Sequence, residues 1–193
     1  MALVHNCIIR GLNAIYCQAP YVSTREDICD FLGYIKAWCL TLEVHHKTEE
    51  AVSFPLLEIM TREKGVMDTN IAQHKAFHHG LNALEVYATA CQNYKAIYDG
   101  SFVRKIISEF GMILTEHLAD EIETLEAMND YEERIDWEIW TDKTKEHAIS
   151  LPGMVCTIFH VEKPNVEIMI ARADGQLIGI CSTHDIDKYG RYI

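Results

Sequence analysis

The stretch Val44–Pro55, VHHKTEEAVSFP, carries two His/Glu pairs at four-residue spacing, His45/Glu49 and His46/Glu50. Four residues is just over one helical turn, so each pair lies on one helix face and can grip one cation between an imidazole and a carboxylate. The same spacing recurs twice further on, as His74/His78 and as His117/Glu121. A single histidine, His5, stands near the start of the chain. These are nitrogen and oxygen donors, the set that binds first-row transition metals.

Whether the pairs face inward depends on the helices that carry them. Walking from His45 in alternating steps of three and four passes Ile28, Phe31, Ile35, Trp38, Leu42, His45, Glu49, Val52 and Leu56. That is an apolar stripe with one His and one Glu set into it. The same walk through His46 passes Cys39, Glu43, Glu50, Ser53 and Leu57 and reads as a mostly solvated face. The expected inward pair is therefore His45 and Glu49.

Three further amphipathic segments are readable. Residues 2–18 place His5, Ile8, Ile9, Leu12, Ile15 and Tyr16 on one face and end before Pro20, whose preceding residue avoids helical geometry. The second helix opens with a capping box at Ser23-x-x-Glu26, is kinked or interrupted at Pro55, and stops near Gly65. A third helix over about 69–97, capped by Asp68, aligns Ile71, His74, Phe77, His78, Leu81 and Leu84. A fourth over about 102–130, capped by Ser101, aligns Val103, Ile106, Phe110, Ile113, His117, Glu121, Leu125 and Met128. The fold class expected is all-α, an antiparallel up-down four-helix bundle with short links.

That bundle takes up residues 1–130. Residues 131–193 form a linker and C-terminal extension without an assigned role. Its first part, 131–150, is charged, includes Trp137 and Trp140, and reads as a helical extension or a linker packed on the bundle. From 154 to 182 the pattern changes to short apolar runs separated by Pro164-Asn165 and Asp174-Gly175, the character of a small β-meander.

Composition narrows the function classes. A chain of 193 residues, 49% hydrophobic, has a core to bury, and a net charge of -12 disfavours nucleic acid and anionic membranes as partners. The seven cysteines include no C-x-x-C pair and read as small buried hydrophobes in a reducing compartment. No secretory leader is expected, since Met1 leads straight into Ala2-Leu3-Val4-His5 with no basic segment, and no run is long enough to span a bilayer, so a cytoplasmic location is expected. No protein partner is readable.

Five imidazoles and two carboxylates, His5, His45, Glu49, His74, His78, His117 and Glu121, thus fall on inward faces. Buried together without a cation they would be strongly destabilising. They are too many for one tetrahedral zinc and too rich in imidazole for calcium or magnesium. Two six-coordinate irons suit them. If both carboxylates bridge and an oxo or hydroxo group bridges too, one position stays open, and dioxygen is the natural occupant of an open site on a reduced iron pair.

The order His, then H-x-x-x-E-E…F-P, then H-x-x-x-H, then H-x-x-x-E resembles the hemerythrin-like (HHE cation-binding) domain family. The segments HNCIIRGLN, HHKTEEAVSFP, QHKAFHHGL and LTEHLADEIETL are most similar to those of hemerythrin-like proteins of filamentous fungi. The resemblance covers about 1–130. It implies a four-helix bundle around an oxo- or hydroxo-bridged di-iron centre, with the seven residues above as ligands. Oxygen-carrying members place an aspartate five residues after the last ligand His, where this chain has Ile122, so Glu121 or Asp120 must substitute.

Three functions follow as expectations. The first is a protein that binds dioxygen or a related small diatomic ligand as carrier, store or oxygen/iron sensor, more a binder than a catalyst. Ile35, Trp38, Phe77, Phe110 and Ile113 are candidates for its dry pocket wall. The second is a di-iron oxidase, peroxidase or nitric oxide reductase. The third is an interaction module whose metal is only structural.

Overall fold

The computed structural model describes residues 1–151 and, in backbone only, 168–171 and 177–181. The helices are α1 (Ala2–Gln18), α2 (Arg25–Thr48), α3 (Phe54–Thr61), α4 (Asp68–Gln92), α5 (Gly100–Ala127) and α6 (Trp137–Ser150). Helix α6 falls in the segment expected to extend the bundle. Strands β1 (Ile168–Ala171) and β2 (Leu177–Cys181) pair antiparallel. The remainder of the expected meander lies outside the described residues.

The helix ends correct the sequence reading in detail. Thr24, not Ser23, caps α2: its Oγ1 accepts from the Asp27 N–H at 3.1 Å. Asp99, not Ser101, caps α5, accepting from the Ser101 and Phe102 N–H groups at 2.8 and 3.3 Å. Helix α4 stops at Gln92 rather than 97, because Tyr94 turns the chain in the left-handed region at φ 56°. The returning chain locks onto the end of α1. Tyr98 donates its O–H to the Ala19 carbonyl at 2.7 Å, and a Cβ at Gly100 would sit 2.0 Å from that same oxygen. Only glycine fits there.

Pro55 interrupts hydrogen bonding but not the helix. Between α2 and α3, Glu49–Ser53 widen into a π-helical turn, and the Phe54 N–H reaches back to the Glu49 carbonyl. A π turn inserts one residue into the ladder, and proline in the first turn of the following segment needs no N–H partner. The run from Arg25 to Thr61 therefore carries on through the proline.

Helix pairs meet in reversed order along the chain. His5 and Ile8 of α1 meet His45 and Trp38 of α2. Lys36 and His46 of α2 meet Gln92 and His74 of α4. His74 and Gly80 of α4 meet His117 and Phe110 of α5. The α4–α5 approach is close, since a Cβ on Gly80 would lie 2.5 Å from the Cβ of Phe110.

Two apolar clusters fill the interior. The larger includes Ile8, Leu12, Ile35, Trp38, Leu42, Phe77, Leu81, Phe110, Leu114 and Leu118. The smaller contains Phe54, Leu57, Met67, Met128 and Ile135. On α2 and α4 the buried polar residues lie in sequence between these clusters, and on α5 His117 and Glu121 flank Leu118, where the larger cluster ends. A polar layer is thus sandwiched between two dry ones.

Candidate metal centre

That layer gathers seven side chains. His46, His74 and His117 form one group, and His5, His45, Glu49 and Glu121 another, with donor atoms within 4.8 Å of one another inside each group. The carboxylates tie the groups together. Glu49 sets Oε1 3.0 Å from His45 Nε2 and Oε2 3.6 Å from His74 Nε2. Glu121 sets Oε2 3.5 Å from His5 Nε2 and 3.6 Å from His117 Nε2.

Three of the imidazoles are held in a defined tautomer by what touches their far nitrogen. His5 Nδ1–H donates to the Leu118 carbonyl at 2.8 Å. His74 Nδ1–H donates to Glu50 Oε1 at 2.8 Å. His117 Nδ1–H donates to Gln73 Oε1 at 3.2 Å, and Gln73 in turn donates to Asp120 Oδ2 at 2.6 Å. Asp120 is acceptor-only, which fixes the orientation of the Gln73 amide. Each Nε2 is then a bare lone pair aimed at the centre, the arrangement by which outer partners orient metal-binding histidines.

The electrostatics have the same sense. Burial drives His5 down to about 4 and His117 to about 3, and it drives His45 and His46 well below the ordinary range. Burial also lowers His74, against the pull of Glu50. The imidazoles are therefore neutral, as ligation requires. Burial raises Glu121 to about 7, and burial plus the neighbouring Glu121 raises Glu49 well above the carboxylate range. Both Glu49 oxygens, both Glu121 oxygens and the Nε2 atoms of His5, His45 and His46 make no hydrogen bond. Seven unsatisfied buried donor atoms converging on one layer fit a bound cation and little else.

Six of the seven residues expected from the sequence meet in the layer, but His78 is exposed and lies outside it, while His46, expected on the solvated face, is buried within it. On α4 the buried seam runs Asn70, His74, Phe77, Leu81, Leu84, Ala88 and Cys91. Phe77 takes the inward step after His74, 5.0 Å from the His46 ring and 5.4 Å from the His117 ring, and His78 is turned outward. Helix α2 buries more than one line of residues. His45 faces α1, with its ring 5.1 Å from that of His5, while His46 faces α4 and α5, 4.2 Å from His74 and 5.4 Å from His117. Glu121 rather than Asp120 points inward. Among the wall candidates Ile113 is 38% exposed, whereas Ile35, Trp38, Phe77 and Phe110 are buried. Glu50, read with His46 on a solvated face, and Gln73 turn out to be the partners of His74 and His117; neither lies on an apolar stripe, so the sequence did not mark these pairings.

Helix α6 lies over the π turn that carries Glu49. Trp140 Nε1 donates to the Ser53 carbonyl at 3.0 Å, and Thr144 Oγ1 meets Ser53 Oγ at 2.9 Å. A surface cavity of about 940 Å³ lined by Cys29, Cys91, Tyr94 and Tyr98 is elsewhere. Cys29 and His45 are separated by sixteen residues of α2, roughly 24 Å along its axis.

A chain of this pattern matches the model of the hemerythrin HHE cation-binding domain over residues 1–129. The chain belongs to that family. Among curated relatives of this hemerythrin HHE chain is a dimeric xanthone biosynthesis cluster protein from Cryptosporiopsis sp. (strain 8999), 41% identical over 147 residues, 76% of this chain and 55% of the relative. The chain thus spans about half the length of that relative. No solved structure matches. No helix among the described residues is long and apolar enough to cross a membrane.

Proposed function

We propose that this chain is a non-heme di-iron protein that binds dioxygen or a related small diatomic ligand, as carrier, store or oxygen/iron sensor. The observation that carries the reading is the division of the layer. Glu49 and Glu121 each face both histidine groups, three imidazoles stand on one side and two on the other. His46, His74 and His117 would hold one iron and His5 and His45 the other, with Glu49 and Glu121 facing both, and the smaller imidazole set would leave room for an exogenous ligand. The iron pair would supply the electrons for dioxygen binding. The protein's own part is to hold neutral imidazoles, orient them through Leu118, Glu50 and Gln73, and keep water out with Phe54, Phe77 and Phe110. The reversed contact order of α1, α2, α4 and α5 supports an antiparallel up-down four-helix bundle, and the net charge supports the absence of nucleic-acid partners.

The second reading is a di-iron redox enzyme, and the relative's place in a biosynthesis cluster favours it. One experiment separates the two. Iron content is measured, and the optical spectrum is followed as the anaerobically reduced protein meets air. Two irons per chain with a visible band that reverses under vacuum support the binder. A single irreversible oxidation, or turnover, supports the enzyme. A lone zinc removes both.

A further inference from the structure

One buried polar side chain has no place in the scheme above. Asn70 is 1% exposed, and neither its Oδ1 nor its Nδ2 has a hydrogen-bond partner. Among the described residues, the other buried side-chain atoms in that condition all belong to the histidines and glutamates of the centre. An amide buried with both ends unmet is costly, so its retention on an inner seam needs a partner.

Its place in the fold indicates where that partner sits. Asn70 is the first residue of the α4 seam, one turn before His74. Along the α4–α5 contact Gly80 faces Phe110, His74 meets His117 and Gln73 meets Asp120. Extending that reversed order by one turn brings Asn70 level with Glu121. Along α2, His74 meets His46 and then Glu50 and Phe54, so the same turn is level with the π turn that carries Glu49. Asn70 therefore stands one turn from His74, at the edge of the layer and level with the two carboxylates, where the smaller apolar cluster begins.

We infer that Asn70 lines the ligand cavity of the metal centre and hydrogen-bonds the small exogenous ligand or solvent species held there. The amide both donates and accepts, so the ligand class it selects is a small oxygen species carrying a proton, such as water or hydroxide, with small anions as weaker occupants that use only the N–H₂. Asn70 is a positioning residue that sets ligand preference, and it is not a metal ligand. The inference rests on the di-iron reading of the centre.

The test uses the full chain loaded with iron, azide as the probe, and the variants Asn70→Leu and Asn70→Asp. Leu keeps the heavy-atom count and branch point of Asn and removes both polar atoms. Asp keeps the shape and replaces the donor by an anionic acceptor. Iron content, the optical azide titration and the melting temperature of the metal-free chain are read for each. The expected result is unchanged iron content, azide binding at least about tenfold weaker in both variants, and a higher melting temperature for metal-free Asn70→Leu, since the unmet amide is gone. Azide affinity equal to the parent in either variant that retains its iron overturns the inference. So does a lower melting temperature with azide binding intact, which would make the amide a structural one. If the parent chain itself takes up no iron pair, the di-iron reading fails first and this inference falls with it.

Discussion

His74 and His117 point their Nε2 atoms at each other across 3.1 Å while each commits its Nδ1–H to another residue, Glu50 for one and Gln73 for the other. Two neutral imidazoles so arranged present lone pair to lone pair. The contact is repulsive without a positive charge beside it, and a cation coordinated by both relieves it. Replacing Gln73 by Leu frees the His117 tautomer without touching a donor atom. Outer partners of this kind are worth about 10- to 100-fold in metal affinity. Gln73→Leu should therefore weaken iron in a chelator competition by about that factor while the saturating stoichiometry holds.

The exchange of His78 for His46 has a direct check. His78→Ala removes an exposed side chain and should leave metal content and melting temperature unchanged. His46→Ala removes a donor from the three-imidazole group and should lower bound iron, as should His74→Ala. Elemental analysis of the three purified variants decides the matter. Full iron content in His46→Ala would remove His46 from the ligand set.

Glu121 sets a pH signature on the metal-free chain. Its carboxyl is raised to about 7 by burial, against an ordinary value of 4.5. Its contribution to stability is therefore whole below pH 4.5 and is lost as pH rises through 7. Glu121→Gln cannot ionise and escapes that loss. Urea unfolding of metal-free Glu121→Gln should show a gain of roughly 1–3 kcal/mol over the parent at pH 8. The gain should vanish below pH 4.5, where the Glu121 carboxyl of the parent is protonated in the folded and the unfolded chain alike. The same variant should lose metal affinity, since it removes a carboxylate that faces both histidine groups. Buried His5, lowered to about 4, acts oppositely, with stability lost as pH falls from 6.5 towards 4. The comparison of variant with parent isolates the Glu121 contribution.

Gly80 tests how tightly the layer depends on helix spacing. A methyl there would meet the Phe110 side chain at 2.5 Å, under two turns from the His74–His117 pair. Gly80→Ala should cost about 1–3 kcal/mol by forcing α4 away from α5. It should also reduce iron uptake, because both groups contain donors from α5. Thermal unfolding and iron content measured together check both. A stability loss with normal iron uptake would show that the layer tolerates the shift.

Much of the centre was legible in the sequence because a helix has a period. The spacing of His45/Glu49 and His117/Glu121, set in apolar stripes, requires those side chains to be buried, and burial of so many donors points to a cation. Periodicity also marked the helix bodies to within a few residues. It did not mark their ends, which depend on contacts distant in sequence: Gly100 and Tyr98 stop against Ala19, and α6 settles over the π turn through Trp140 and Ser53. It also selected one of two adjacent histidines, His45, where the structure has both inside. A stripe drawn through one line of residues treats a helix as having one neighbour, whereas α2 has α1 on one side and α4 with α5 on the other. His45 and His46 are therefore both inside, and Phe77 displaces His78. The outer partners Glu50 and Gln73 and the unmet amide of Asn70 are likewise products of tertiary packing. The types and spacing of residues determined that this chain would bury a nitrogen- and oxygen-donor centre, and only the arrangement of helices around it decided which side chains complete it.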